Sequence, residues 1–183
     1  MAVLDISEAK LFTSLEGFLY RFATPELKND GLHVIRGFVN DQTLPKNDNE
    51  FVIYTPLTFE RRGTNREIWD KADDIVTFCE YVTTRWQIDC YSMSPVYAYR
   101  RASTYELIAR SNAGTDYFAP LSIDCQYAEN VRDMTFVMDS GKNVARWSLE
   151  LSLGFWKQVS VTWDYFTALG LDIKNVDVEF PPK

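Results

Sequence analysis

The chain has 183 residues and 46% hydrophobic content, which is enough for one substantial core and predicts a single domain over residues 1–183. Its formal net charge of −7 argues against a surface built to grip nucleic acid. The first residues lack a signal-peptide pattern and no apolar run approaches the roughly 20 residues of a membrane span, so we expect a protein made and kept in the cytoplasm.

The first predicted element is a helix over residues 6–23. Asp5 and Glu8 have the three-residue spacing of a capping box, and a Thr-Pro pair directly after the helix ends its pattern. The apolar residues that recur at helical spacing are Leu11, Phe12, Leu15, Phe18, Leu19 and Phe22. Gly17 costs this helix roughly 1 kcal/mol relative to alanine, and close packing or simple tolerance would explain it equally well.

Two strands separated by a polar loop are predicted next. The first strand spans residues 32–39, the loop spans 40–50, and the second strand spans 51–59 with apolar side chains at alternate positions. Pro56 cannot donate a backbone hydrogen bond, so it predicts an edge strand or a β-bulge at this point.

Residues 60–74 combine three arginines and a glycine with five acids, and we interpret them as an exposed loop of mixed charge. These arginines are Arg61, Arg62 and Arg66. They could bind phosphate, but in so acidic a chain we favour carboxylates of an adjacent subunit as their partners. A long strand over residues 75–91 follows, and its apolar face is interrupted at Glu80 and Thr84.

A second helix is predicted to begin at Ser94 and Pro95, an N-cap followed by proline at the first helical position, and to end near Ser111. The residues that this helix would bury are Ala98, Ala102, Tyr105, Ile108 and Ala109. Arg100 and Arg101 lie on the same helix, and we treat them as further candidates for contacts with another subunit.

One long alternation of apolar and polar residues, broken at Trp156 and Lys157, dominates the last third of the chain. It runs over residues 147–163, which as a β-strand would reach about 55 Å at roughly 3.3 Å per residue. Such a strand must bend or leave its domain, and Trp156 with Lys157 marks the expected bend. Together with a strand predicted at residues 121–127, it indicates a protruding β-arm around residues 121–163. The two long strands are predicted to pair in one extended ribbon.

A short helix ending at Gly170 and a last strand over residues 176–180 complete the predicted elements. Helices set against a sheet of this kind are typical of α+β folds. We therefore predict a twisted, mainly antiparallel sheet with long β-ribbon arms. An N-terminal helix, a central helix and a short C-terminal helix would pack against this sheet.

Motifs that identify a catalytic or metal site are missing from the sequence. Cys79, Cys90 and Cys125 lie in predicted strands without metal-ligand spacing, so we interpret them as reduced core thiols and predict no metal and no cofactor. An enzyme that uses Cys90 or Asp89 with His33, the one histidine of the chain, stays open as an alternative. A monomeric ligand-binding β-domain is a third possibility.

Several segments, taken in order, resemble the neck terminator (tail-completion) proteins of tailed bacteriophages. They are Tyr54-Thr55-Pro56-Leu57, Arg61-Arg62-Gly63-Thr64-Asn65, Trp86-Gln87-Ile88-Asp89-Cys90-Tyr91-Ser92, Ala109-Arg110-Ser111 and Asp116-Tyr117-Phe118. Later agreement comes from Arg146-Trp147 before the long strand, residues 159–166, and Val176-Asp177-Val178 before Phe180-Pro181-Pro182. The resemblance spans residues 15–182 and depends on the order and spacing of the segments rather than on one motif.

The resemblance implies a non-enzymatic virion protein that forms a ring, expected to be hexameric, between the head connector and the tail. Such a ring would end polymerisation of the tail tube, and of a sheath where there is one, and leave a channel for DNA. Its partners would be further copies of itself, a connector or collar protein, and tube or sheath protein. Acids of the arm are then candidates to line the channel or its approach, namely Glu129, Asp133 and Asp139. Another neck ring protein, a gateway, adaptor or collar, is the nearest alternative.

Overall fold

The computed structural model describes residues 3–4, 8–23, 33–38, 50–70, 75–137 and 143–162. The helices of this part are α1 (Glu8–Arg21), α2 (Pro95–Ala109) and α3 (Asn112–Phe118), and a 3-10 turn (Ala119–Leu121) follows α3. The strands are β1 (Val3–Leu4), β2 (His33–Arg36), β3 (Phe51–Asp70), β4 (Ile75–Ser92), β5 (Ile123–Ala128), β6 (Arg132–Asp133), β7 (Phe136–Val137) and β8 (Asn143–Thr162). The capping residue Asp5, the helix ending at Gly170, the strand at 176–180 and Asp139 lie outside the described residues.

The strands form a mixed, mainly antiparallel sheet in the order β1-β8-β4-β3-β2, and β5, β6 and β7 pair in turn with β8 on the side away from β4. The β2–β3 pair is parallel, whereas the other pairs are antiparallel. With helices packed against such a sheet, the chain is α+β as predicted.

The centre of the sheet is the pair formed by β4 and β8. Their register runs without a shift from Ile75 opposite Thr162 to Ser92 opposite Ala145. The prediction of two long strands paired in one ribbon is therefore confirmed. The pairing also passes through Trp156 and Lys157 without a bulge, so the apolar pattern breaks there while the backbone ladder continues.

The interruptions of the apolar faces have partners across the ribbon. Lys157 lies opposite Glu80 in the register, so the two charges that break the pattern fall at the same level of the sheet. Thr84 is fully buried; its hydroxyl donates to the carbonyl of Leu153 at 3.2 Å and accepts from Nε1 of Trp86 at 2.8 Å. Each polar residue that interrupts an apolar face therefore has a polar or oppositely charged partner in the sheet.

The interpretation of residues 60–74 as a loop is wrong over residues 60–70, because β3 continues to Asp70 and pairs with β4 down to Ile75. From residue 61 onward every side chain of β3 is exposed, so this half of the strand carries no apolar alternation that the sequence could display. Its backbone hydrogen bonds to β4 hold it in the sheet instead. The ladder shifts between Pro56 and Thr58, as Pro56 led us to expect, and again between Arg62 and Arg66.

The core lies between one face of the sheet and the helices. The buried apolar face of α1 follows the predicted helical spacing, at Leu11, Phe12, Leu15, Phe18 and Leu19. α2 contributes Ala98, Ala102, Tyr105 and Ala109, and β8 contributes Leu149, Leu151, Leu153 and Phe155. Close packing explains Gly17, because a Cβ at this position would stand 2.6 Å from the hydroxyl oxygen of Tyr117.

The short helix α3 was not predicted, because its polar sequence lacks apolar periodicity. It begins after Ser111, whose hydroxyl accepts a hydrogen bond from the backbone nitrogen of Ala113 at 3.2 Å. Gly114 lets the chain turn tightly out of α2, since a Cβ there would lie 2.7 Å from the carbonyl oxygen of Ile108. α3 therefore lies beyond the end of the predicted second helix, which corresponds to α2, and it buries Phe118.

Candidate assembly surface

Among the described residues, the outer half of β3 is a continuous run of exposed strand, since every side chain from residue 61 to residue 70 is exposed. Here β3 from Glu60 to Asp70 pairs with β4 from Ile75 to Thr83, and β4 in turn pairs with β8. Large apolar side chains remain on the surface of this ribbon, with Trp69 and Trp156 each 48% exposed. A thin ribbon of this kind leaves apolar and charged groups available to another molecule.

The three arginines of the predicted loop lie on this outer part of β3. Arg61 forms an ion pair with Glu80 of β4, and Arg62 lies 3.2 Å from the carboxylate of Glu60. Arg66 is exposed and pairs with no acid among the described residues. The side chains of Arg61 and Arg62 remain 65% and 61% exposed, so both can still reach another molecule.

The two arginines of α2 have different surroundings. Arg100 is exposed and borders a shallow groove with Val96, Tyr99 and Leu107. Arg101 is 1% exposed; it lies 2.9 Å from the carboxylate of Glu50 and donates to the carbonyl of Tyr91 at 3.3 Å. Its charge is satisfied inside its own chain, so we do not include it in the assembly surface.

The acids of the predicted arm lie beside the first half of β8. Glu129 pairs with Arg132, and the backbone nitrogen of Glu129 donates to the carbonyl of Glu150 at 2.8 Å. Asp133 accepts hydrogen bonds from the hydroxyl and backbone nitrogen of Thr135, at 2.5 and 2.9 Å, and these bonds lower the pKa of its carboxyl. Asp133 is therefore anionic at neutral pH, and its side chain is exposed.

The groups of the enzymatic alternative lie in the sheet. Cys90 is fully buried, and this burial raises the pKa of its thiol to about 12, so it is protonated at neutral pH. Asp89 is 4% exposed and accepts hydrogen bonds from Arg146 and from Gln87, both at 2.8 Å. His33 begins β2. A buried thiol and a paired carboxylate suit the core better than a nucleophile.

The strand predicted at residues 121–127 corresponds to β5, but its exposed face was not singled out from the sequence. The strand β5, together with β6 and β7, forms the opposite margin of the sheet, and Tyr127 on β5 is 53% exposed. A register shift between Cys125 and Tyr127 interrupts the alternation of inward and outward side chains along β5. The sequence pattern therefore did not show which side chains of β5 face outward. The sequence feature that could have indicated this surface is the aromatic residue Tyr127.

The described part of the chain has neither a cluster of metal ligands nor a membrane-spanning helix. No group of three His, Cys, Asp or Glu residues there could hold a metal ion. No helix in the same part is long and apolar enough to cross a membrane. Cys79, Cys90 and Cys125 are free thiols on strands, as the sequence predicted.

Comparison with known proteins identifies the family. A search of curated proteins gave no match. The family model described as phage neck terminator protein matches residues 11–182, which includes both long strands, the helices α2 and α3, and nearly all of α1. The chain therefore belongs to the phage neck terminator protein family.

Proposed function

We propose that this protein forms a ring at the neck of the virion, joins the head connector to the tail, and ends polymerisation of the tail tube. It acts as one terminator-like domain whose arm around residues 121–163 takes part in assembly. The match to the neck terminator family over residues 11–182 carries this proposal. From the resemblance of the sequence we infer a ring of six copies. We also infer that DNA passes through its lumen without sequence-specific binding.

The exposed half of the ribbon supports a role in assembly. The outer residues of β3 are all exposed, so they add no buried area to the core of their own chain. Their backbone and side chains can instead contact a neighbouring molecule. Trp69 and Trp156 add apolar area of the kind found at protein interfaces. The proposed partners are other copies of the chain, the connector or collar, and tube or sheath protein.

The formal net charge of −7 supports the proposed channel. A lumen lined by acids repels phosphates, so DNA moves through it without adhering. We propose Glu129, Asp133 and Asp139 as acids of the arm that face the channel or its entrance.

The experiment compares infections with and without a functional copy of this chain. We expect tails of irregular length that do not attach to filled heads when the chain is missing, because nothing then ends tube growth. Electron microscopy of the lysate measures tail length and attachment. A purified sample should show rings, with a solution mass that is a multiple of 21.2 kDa.

The outcomes separate the related neck roles. Tails of normal length that fail to attach would assign the chain to an adaptor or collar instead. Heads that lose their DNA would assign it to a gateway. Normal joined virions without the chain would contradict every neck function.

A further inference from the structure

Among the described strands, β3 has an open edge over most of its length. The parallel partner β2 covers it from Phe51 to Tyr54, and no described strand pairs with that side of β3 beyond Tyr54. The exposed residues at the start of this open edge include Leu57 and Phe59, which are 39% and 45% exposed. Unpaired backbone groups along such an edge can accept a strand from another molecule.

The opposite margin of the sheet has a second open edge. Strand β5 pairs with β8 from Ile123 opposite Phe155 to Ala128 opposite Leu151, and its other side pairs with no described strand. Its exposed side chains are Asp124, Gln126 and Tyr127. Within the described part of the subunit, each of these two strands therefore presents an open edge.

The strand directions make these two edges compatible. Each step from β5 to β8, from β8 to β4 and from β4 to β3 is antiparallel. A second copy placed beside the first along the row of strands keeps these directions, so its β5 runs antiparallel to β3 of the first copy. The sheet can then continue from one subunit into the next.

We propose that the edge of β3 from Leu57 to Arg62 pairs antiparallel with the outer edge of β5 in the next copy. This inference rests on the proposed ring and adds which surfaces meet in it. The contact is head to tail, joining two different surfaces, so repeated contacts with the right rotation close into a ring. The pairing needs backbone groups above all, and the side chains select its register.

Charge selects that register. Glu60, Thr83, Gly154 and Asp124 lie in one row across the sheet, so continuation at the same level would place Glu60 opposite Asp124 of the next copy. Like charges directly opposite each other destabilise a strand pair. A shift of two residues instead places Arg62 opposite Asp124 and Glu60 opposite Tyr127. The proposed pairing has this stagger.

The charges of the two strands agree with the pairing. The paired part of β3, from Leu57 to Arg62, carries Arg61 and Arg62 beside one acid, Glu60, whereas Asp124 is the one charged residue of β5. Opposite net charges on the two strands favour the head-to-tail contact over contacts between two copies of the same edge. The register shift between Arg62 and Arg66, with Gly63 at φ 87°, distorts the edge beyond the paired part and limits further strand addition there.

Cysteine cross-linking between two different variants tests the proposal. One chain carries Glu60→Cys and the other Tyr127→Cys, both with Cys125→Ser so that no partly exposed native thiol lies near the site. A short bismaleimide is added to each variant alone and to their mixture under ring-forming conditions. We expect a covalent dimer in the mixture and none from either variant alone. Arg62→Cys with Asp124→Cys is a second pair in the same register.

The controls separate this inference from the proposed ring. Leu107→Cys, which is exposed on α2, should not cross-link with Tyr127→Cys. Rings seen by electron microscopy without cross-linking of either pair would overturn the edge pairing and leave the neck function standing. Cross-linking of Glu60→Cys with itself would overturn it as well, because it requires two like margins to meet. Absence of any assembly, alone or on tails, would contradict both proposals.

Discussion

At the scale of single residues, the buried arginine of α2 shows how a surface-type side chain serves the interior. Arg101 is 1% exposed, and its partner Glu50 lies immediately before β3 and is 33% exposed. Glu50 also accepts a hydrogen bond from Ser92 at 3.1 Å. One carboxylate thus ties the start of β3 to the end of β4 and to α2.

Replacing Glu50 with glutamine should reduce the free energy of unfolding by about 2 kcal/mol, because it leaves the Arg101 charge buried without its counter-ion. Urea denaturation measures this change. The matched control is Glu129→Gln, which breaks the exposed pair with Arg132 and should cost less than about 1 kcal/mol. Equal losses in the two variants would contradict a structural role for the buried pair.

The buried thiols predict a loss of stability at alkaline pH. The pKa of Cys90 rises from 9.0 to about 12 through burial, and that of Cys125 from 9.0 to about 11. Above pH 9 the unfolded chain loses these protons while the folded chain keeps them, so stability falls as pH rises. Between pH about 9 and about 10, this difference should lower the free energy of unfolding by about 1 kcal/mol for each thiol.

The measurement is urea denaturation at pH about 9 and about 10, where tyrosines contribute less because their ordinary pKa is higher. Cys90→Ala should lower stability at neutral pH. It should also make the free energy of unfolding fall less between these two pH values, because one buried thiol no longer contributes. An unchanged slope would show that Cys90 ionises equally in both states.

At the scale of elements, one strand serves two purposes. The half of β8 from Trp147 to Phe155 buries its apolar side chains against α1 and α2, while the other half pairs with the exposed part of the ribbon. β6 and β7 fold back on the first residues of β8, and the described side chains of that segment are mostly exposed. The core therefore depends little on β6 and β7.

Replacing residues 132–141 by a short Gly-Ser linker should leave the thermal unfolding temperature nearly unchanged and impair ring assembly. The deletion spares Ala128, which is buried and accepts a hydrogen bond from Arg110 at 2.8 Å. Circular dichroism monitors the fold and electron microscopy monitors the rings. Normal assembly of this variant would contradict the role of the arm.

At the scale of the whole molecule, the two strands that we propose to meet between copies differ in charge. The part of β3 from Leu57 to Arg62 carries Arg61 and Arg62 beside one acid, Glu60, whereas Asp124 is the one charged residue of β5. Unlike charges on the two strands favour ordered head-to-tail addition over random association. Closure of the proposed ring would remove both edges from solvent and so limit growth to a defined number of copies.

Reversing both charges, Arg61→Glu with Arg62→Glu, should leave a folded subunit that no longer assembles. The loss of the Arg61–Glu80 pair costs little because it is exposed. A control with the same change in charge is Lys10→Glu with Arg21→Glu, both on the exposed face of α1. A particle-assembly assay compares the two. Unchanged assembly of the first variant would remove Arg61 and Arg62 from the interface.

Local periodicity determined much of this fold. The spacing of apolar residues predicted α1, the start of α2, the two long strands and their buried faces, because burial imposes period 3.6 on a helix and period two on a strand. Ser94 and Pro95 predicted the start of α2 correctly, and the predicted thiol character of the cysteines agrees with their burial and free state. These features depend on neighbours in sequence.

The tertiary structure alone decided the rest. The outer half of β3 belongs to the sheet because of backbone hydrogen bonds to β4, which leave no mark in its exposed, charged sequence. The burial of Arg101 depends on Glu50, fifty-one residues away along the chain. Which strand edges remain open likewise depends on the order of strands in the sheet. Pairing between distant segments sets all three, and a local pattern carries no information about it.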